Sequence, residues 1–373
     1  MKRLWFLGVL FLLFPLWAEE ESAQPQAAEV PVSAEEAPPV PVTAEEVPPA
    51  REEAQAAAPQ KKSIGLEYPE TALIETYRRE YSSPFGVKWI TEALASGSVY
   101  RAYVQKKIAE KNMPPCMEFL PLIESAYRSD ARSKSGAAGL WQFMENSVTP
   151  FLEKNQWIDE RMDPWKSTDA ALAKLEENYK RFGDWFLALA AYNAGSGALN
   201  RFLSRSKEKT YWALAAKGIL KEETIRYVPK FLAISDIILN AEYYNLSFPQ
   251  VSPSDELDLF FYTSEAPVVI STLRRTLEMD EALFSYLNPS LLLDISPPGF
   301  TFRLPVYYRE MAAYAFETSQ AAEAVAYKIK DGDTLWGISL RYGVTVESIC
   351  AANKINEKAV LPIGKTLIVP IHK

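Results

Sequence analysis

Glu124 follows directly on an apolar run in the stretch FLPLIES, residues 119–125. If that stretch is helical to its end, the carboxylate lies in the last turn. There it faces the negative end of the helix dipole, and Leu122 and Ile123 limit its hydration. Both effects disfavour the anion and raise the pKa. A glutamic acid that keeps its proton near neutral pH is suited to protonating a leaving oxygen. The plain alternative is a solvated glutamate at a helix end. The next residues, SKSGAAGLWQF (133–143), place small side chains where a backbone must bend tightly, with Ser133 at the start and Gln142 between Trp141 and Phe143. Aromatic faces beside amide and hydroxyl groups suit a neutral polyhydroxylated ligand. A turn leading into a core segment would explain Trp141 and Phe143 as well, but not Gln142 and Ser133. A two-carboxylate glycosidase needs a partner roughly 5–9 Å from the first acid. Asp130, Asp159, Glu160, Asp163 and Asp184 are the candidates, and none sits in a similarly apolar setting. The residues therefore permit a single-acid mechanism in which the substrate supplies its own nucleophile.

Positioning such an acid calls for a helical frame, and helical signals run from Pro69 to Leu246. In KSTDAALAKLEENYKRFGDW, Ser167 or Thr168 can cap a helix carrying Leu172, Leu175, Tyr179 and Phe182 on one face, with Gly183 as the stop. DWFLALAAYNAG is apolar all round, as a central helix would be, and ends at Gly195. ETIRYVPKFLA belongs to another long helical pattern that contains Pro229. The expectation is an all-α domain over residues 69–246. Residues 327–370 change character: the alternating YKI, two short helical patterns and the alternating TLIVP predict strand, helix, helix, strand. The connecting region 251–326 looks like a decayed copy of this module. Gly299 and Pro305 follow Asn288 at the same offsets as Gly364 and Pro370 follow Asn353, although the DGDTLW turn of the second copy has no counterpart in the first.

The ends and the composition narrow the function classes. Residues 1–18 have two basic residues, an apolar core and Ala18 before acids, the layout of a secretory signal peptide. Membrane attachment is expected only if that segment stays uncleaved. Residues 19–62 hold ten acids and three bases among Ala and Pro, with the repeat VPVSAEEAPP–VPVTAEEVPP, and predict a disordered tether. The chain of 373 residues has a formal net charge of −8, much of it in this tether, so the folded part has no nucleic-acid footprint. One histidine, His372, argues against a Ser-His-Asp triad or a His-ligated metal, and no cofactor is expected. Cys116 and Cys350 are expected to be free thiols.

In order and spacing, PLIESAY, SGAAGLWQFM, AAYNAG and ETIRYVPKFLA together resemble the catalytic domain of lytic murein transglycosylases, most closely the membrane-bound D type. Residues 327–370 resemble a LysM domain. The resemblance implies a mainly α, goose-lysozyme-like (SLT) catalytic domain, followed by a small α+β region that ends in a βααβ LysM domain. It implies Glu124 as catalytic acid and base, with Ser125 in a structural role beside it. Ser133, Gln142, Tyr192, Asn193 and Tyr227 become substrate-binding residues, and Asp331, Gly332, Asp333, Thr334 and Asn353 glycan-binding residues of the LysM domain. The implied reaction cleaves the bond between N-acetylmuramic acid and N-acetylglucosamine and forms a 1,6-anhydro ring. The implied partner is the peptidoglycan glycan strand, and the implied location is the periplasm or cell envelope. The lipid-bearing Cys frequent near the N-terminus of D-type enzymes is absent, and Cys350 replaces a usual aliphatic residue. A water-using muramidase and a non-catalytic wall-binding protein are the competing readings.

Overall fold

Helix starts in this chain are set by short polar side chains that occupy the free N–H groups of a first turn. The computed structural model describes residues 59–252 and 257–371. The expected signal peptide, residues 19–58 of the expected tether, and His372 lie outside the described residues. Thr71 caps α1 (Ala72–Tyr81) and Ser83 caps α2 (Pro84–Ser96), with α3 (Ser98–Glu110) following at once. A 3-10 turn, Pro115–Phe119, leads into α4 (Leu120–Ser125). After a long loop come α5 (Pro164–Phe182), α6 (Trp185–Ala194), α7 (Ser196–Arg205), α8 (Tyr211–Ala216) and α9 (Glu222–Leu239). The α5 cap is Asp163, whose carboxylate accepts from the N–H groups of Trp165 and Lys166. Ser167 and Thr168, expected as caps, lie inside the first turns, where their hydroxyls donate to the carbonyls of Asp163 and Pro164.

The apolar spacing explains the packing. Helix α6 buries residues on every side, from Phe186 to Tyr192, and packs on α5, α7 and α9. Helix α9 also packs along α1 and keeps Pro229 inside it. Lys61 and Lys62, assigned to the tether by composition, are held by this helix. Lys61 pairs with Asp236 at 2.9 Å, and the Lys62 N–H donates to Asn240 at 2.6 Å. The all-α core therefore starts before residue 69, with Ile64 buried.

The rest of the chain is two small α+β modules. Strands β1 (Leu259–Ser264) and β2 (Phe300–Pro305) pair antiparallel around α10 (Ile270–Thr276) and α11 (Glu281–Leu287). Helix α12 (Arg309–Ser319) packs on α10 and β1. Strands β3 (Glu323–Lys328) and β4 (Thr366–Ile371) pair antiparallel around α13 (Leu335–Tyr342) and α14 (Val346–Asn353). Each module has its own buried cluster: Phe302, Phe316 and Ile295 in the first, Ile338, Ile349 and Val369 in the second. Cys116 and Cys350 are both buried free thiols.

Candidate active site

Glu124 occupies the last turn of α4, which stops when Ala126 and Tyr127 both turn left-handed, with φ of 51° and 59°. Two such residues in succession are strained and persist only where their surroundings fix them. Here Tyr127 is fully buried, donates to the Glu118 carbonyl, and packs close to Gly97, where a Cβ would meet its ring at 2.5 Å. The Ser125 hydroxyl donates to the Leu140 carbonyl at 2.8 Å, tying the acid-bearing helix to the loop that follows.

That loop is built by its small residues. Ala138 pairs with Phe143 through two 3.1 Å backbone hydrogen bonds, and Gly139 turns at φ 82° directly against the Arg161 carbonyl. The Arg161 guanidinium donates to the carbonyls of Gly136 and Phe143 while it is held bidentate by Asp159. Trp141 and Phe143 are buried, and the Trp141 indole N–H donates to Thr168, so neither ring offers a stacking face; both are core residues. Gln142, at φ 49°, spends its amide N–H groups on the Ala131 and Gly139 carbonyls. Ser133 is exposed, and its hydroxyl accepts from the Ala137 N–H. These two residues shape the loop, and the Gln142 carbonyl oxygen keeps its accepting capacity.

Two long helices supply the remaining contacts. The Tyr227 hydroxyl of α9 donates to Glu124 Oε1, the one side-chain to side-chain hydrogen bond among the expected site residues. Tyr192 of α6 is buried and donates to the Trp141 carbonyl, supporting the loop from beneath. Asn193 accepts from Thr224 at 2.8 Å and donates to Glu223 at 3.4 Å, linking α6 to α9. Burial pushes the Glu124 carboxyl up to about 7; the Tyr227 hydrogen bond pulls it down, Glu223 pushes it up, and Lys174 and Lys230 pull it down. Lys174 sits 5.2 Å from the ring centres of both Phe143 and Tyr192, and Lys230 lies over Tyr81 and Trp89. Burial lowers the pKa of both ammonium groups. Sequence reasoning missed Glu223, Lys174 and Lys230. The signal was their spacing: Lys174 shares a helix face with Ala171 and Asn178, and Lys230 with Tyr227.

Every carboxylate weighed as a second catalytic group has a partner elsewhere. Asp130 pairs with Arg128, Asp159 with Arg161 and Glu160 with Lys166. Asp163 caps α5 and pairs with Arg303 at 2.5 Å, and Asp184 caps α6.

In the C-terminal module Asp331 and Gly332 are exposed, and Gly332 turns at φ 78°. Asp333 accepts from the Lys330 N–H and from Tyr327, while Thr334 caps α13. Asn353 is half-buried. Its amide donates to the carbonyls of Ile349 and Ile368 and accepts from the Ile368 N–H, so it is a clamp of the module's own fold.

Residues 102–215 match the transglycosylase SLT domain and residues 327–370 the LysM domain. The chain is 26% identical over 323 residues to membrane-bound lytic murein transglycosylase D of Escherichia coli K12, covering 81% of this chain and 69% of that protein. It is 30% identical over 116 residues to the soluble lytic murein transglycosylase of Salmonella typhimurium, covering 30% of this chain and 18% of that one. The solved 70 kDa soluble lytic transglycosylase of Escherichia coli aligns at 23% identity and a TM-score of 0.34, over 46% of this chain and 29% of that one. Residues 102–215, which include Glu124, are a transglycosylase SLT domain, and the chain joins it to a C-terminal LysM domain.

Proposed function

We propose that the protein is a peptidoglycan lytic transglycosylase in which Glu124 acts alone, first as acid and then as base. The observation that carries this reading is the setting of Glu124. It holds a carboxyl titrating near 7 and bonded to Tyr227, while each of the other candidate carboxylates is bound to a basic group or a helix start. The relatives named above support the substrate class, the glycan of peptidoglycan. Protonated Glu124 gives its proton to the glycosidic oxygen between N-acetylmuramic acid and N-acetylglucosamine as the C1–O bond breaks. The neighbouring N-acetyl group stabilises the positive centre at C1. Glu124, now a carboxylate, takes the proton of the muramic acid C6 hydroxyl, whose oxygen bonds to C1. The proton count closes on the enzyme, no water is consumed, and intramolecular attack gains from proximity. Ser133, Gln142, Asn193 and Tyr227 border the bound sugar, and the LysM domain holds the enzyme on the wall. An exported, cell-envelope enzyme accords with the N-terminal residues and with the relatives. No helix among the described residues is long and apolar enough to cross a membrane.

A second reading has one observation behind it. Glu223 acts electrostatically on Glu124 and, as base to a water, would make the enzyme a muramidase. Mass spectrometry of muropeptides released from purified peptidoglycan separates the two. Transglycosylation yields products one water lighter than reducing muropeptides, and Glu124→Gln lowers their release by about 10²- to 10⁴-fold. Reducing ends would establish hydrolysis instead. Release by the variant at the wild-type rate would remove Glu124 from the mechanism.

A further inference from the structure

The module between the catalytic and LysM domains repeats the LysM fold residue for residue. A shift of 65 positions carries Asn288 onto Asn353 and brings the two paired strands and the two helices between them into register. Helices α10 and α13 start at Ile270 and Leu335, and α11 and α14 at Glu281 and Val346. The strand pair Leu259–Pro305 maps onto Ala324–Pro370. Left-handed backbone recurs at Glu278 and Gly343, and at Gly299 and Gly364. The asparagine clamp is the same in both: Asn288 donates to the carbonyls of Phe284 and Arg303 and accepts from the Arg303 N–H, as Asn353 does with Ile349 and Ile368. Offsets of −4 and +15 from two asparagines, with identical donor and acceptor roles, are a fold signature that survives divergence of nearly all the side chains.

The two copies differ at one end. In the C-terminal copy the loops 330–334 and 356–364 are largely exposed, with Val360 88% and Ile363 67% accessible. Among the described residues no backbone hydrogen bond joins 331–334 to 356–363. In the first copy the corresponding loops are zipped together. The Val268 N–H donates to the Ser296 hydroxyl, the Ser296 N–H donates to the Val268 carbonyl at 2.9 Å, and Val269 bridges to Ile295. Val268, Ser290, Ile295 and Ser296 are all fully buried. The outer edges of the zipped loops are covered from both neighbours. The Leu292 N–H donates to the Trp157 carbonyl and the Asp159 N–H to the Ser290 carbonyl, next to the Asp159–Arg161 pair that braces the active-site loop. On the other side the Asp294 N–H donates to the Ala352 carbonyl of α14.

We propose that residues 259–305 are a second LysM-type module whose ligand face has been closed, and that it works as a rigid bracket between the active-site loop and the C-terminal LysM domain. The bracket binds no glycan, so recognition of the wall rests on one module held at a fixed orientation to the catalytic groove. This rests on the reading of residues 327–370 as the glycan-binding part. Hydrogen exchange on the full chain, with and without a tetramer of β-1,4-linked N-acetylglucosamine, tests it. In the free protein the amides of 265–269 and 289–296 should exchange on the order of a thousand-fold more slowly than an unstructured peptide, as the helical core does. The tetramer should slow exchange in 330–334 and 356–364 and leave 265–269 and 289–296 unchanged. Fast exchange of these latter loops in the free protein, or further slowing by the tetramer, would overturn the proposal. An unresponsive C-terminal module would instead count against its glycan-binding role, with the free-protein comparison still deciding whether the bracket is closed.

Discussion

Ionising Glu124 means placing a charge where protein has replaced most of its water, so its proton is retained up to about pH 7. The acid form is the one that protonates a leaving oxygen, so kcat/KM should fall as pH rises through that value. The neighbours set where the fall begins. Glu223 pushes the carboxyl up, so Glu223→Gln should move the alkaline limb to lower pH. The Tyr227 hydroxyl favours the anion, so Tyr227→Phe should move the limb to higher pH, and it should slow turnover about 10- to 100-fold by freeing the carboxyl. Profiles on a soluble glycan check both shifts, and their opposite signs distinguish electrostatics from general damage to the fold. A limb that stays in place in both variants would mean another group titrates.

At the scale of elements, a helix of six residues carries the acid, too short to hold itself. Its position comes from the loop Ala131–Phe143, itself braced by Arg161. The small residues of SGAAG were legible as a tight bend. That Gly139 turns against the Arg161 carbonyl was not, because the two meet only when the loop folds back on residues 159–162. A Cβ at Gly139 would come within 1.6 Å of that oxygen, at a φ that side chains rarely adopt. Gly139→Ala should therefore destabilise the protein by roughly 3 kcal/mol, measured as a lowered denaturation midpoint. A midpoint within experimental error of the wild type would show that the loop can give way. Trp141 marks where sequence reasoning left two readings open. A large aromatic beside a glutamine suited a sugar face, yet its indole found a hydroxyl, Thr168, in the core. A single sequence does not say which side of a loop faces in.

Across the whole molecule, the catalytic helices, the bracket and the LysM domain are joined by buried contacts. Arg303 of β2 reaches Asp163 and lies over Trp165, and Tyr100 stacks on Tyr286 at 5.4 Å. Ala352 and Ile368 of the last module pack into the bracket's core. Wall affinity should then depend on the exposed loops of the last module alone. Val360→Asp combined with Ile363→Asp should lower sedimentation with insoluble wall on the order of tenfold. Cleavage of short soluble glycans should stay at the wild-type rate. Unchanged sedimentation would assign wall binding to another surface.

The sequence by itself determined the helical frame, the βααβ pattern at the C-terminus, the acid in an apolar setting and the repeat offsets around the two asparagines. Each of these is local: periodicity, capping residues and short motifs act within a few turns of chain. Only the tertiary structure decided which polar groups were left for chemistry. It gave the five candidate carboxylates their cationic or helix-end partners, bound Asn353 into the module's own hydrogen bonds, and set Glu223 and two lysines around Glu124. Partnership between charges and closure of a loop depend on residues distant in the chain and on the water they exclude, and no local pattern encodes either.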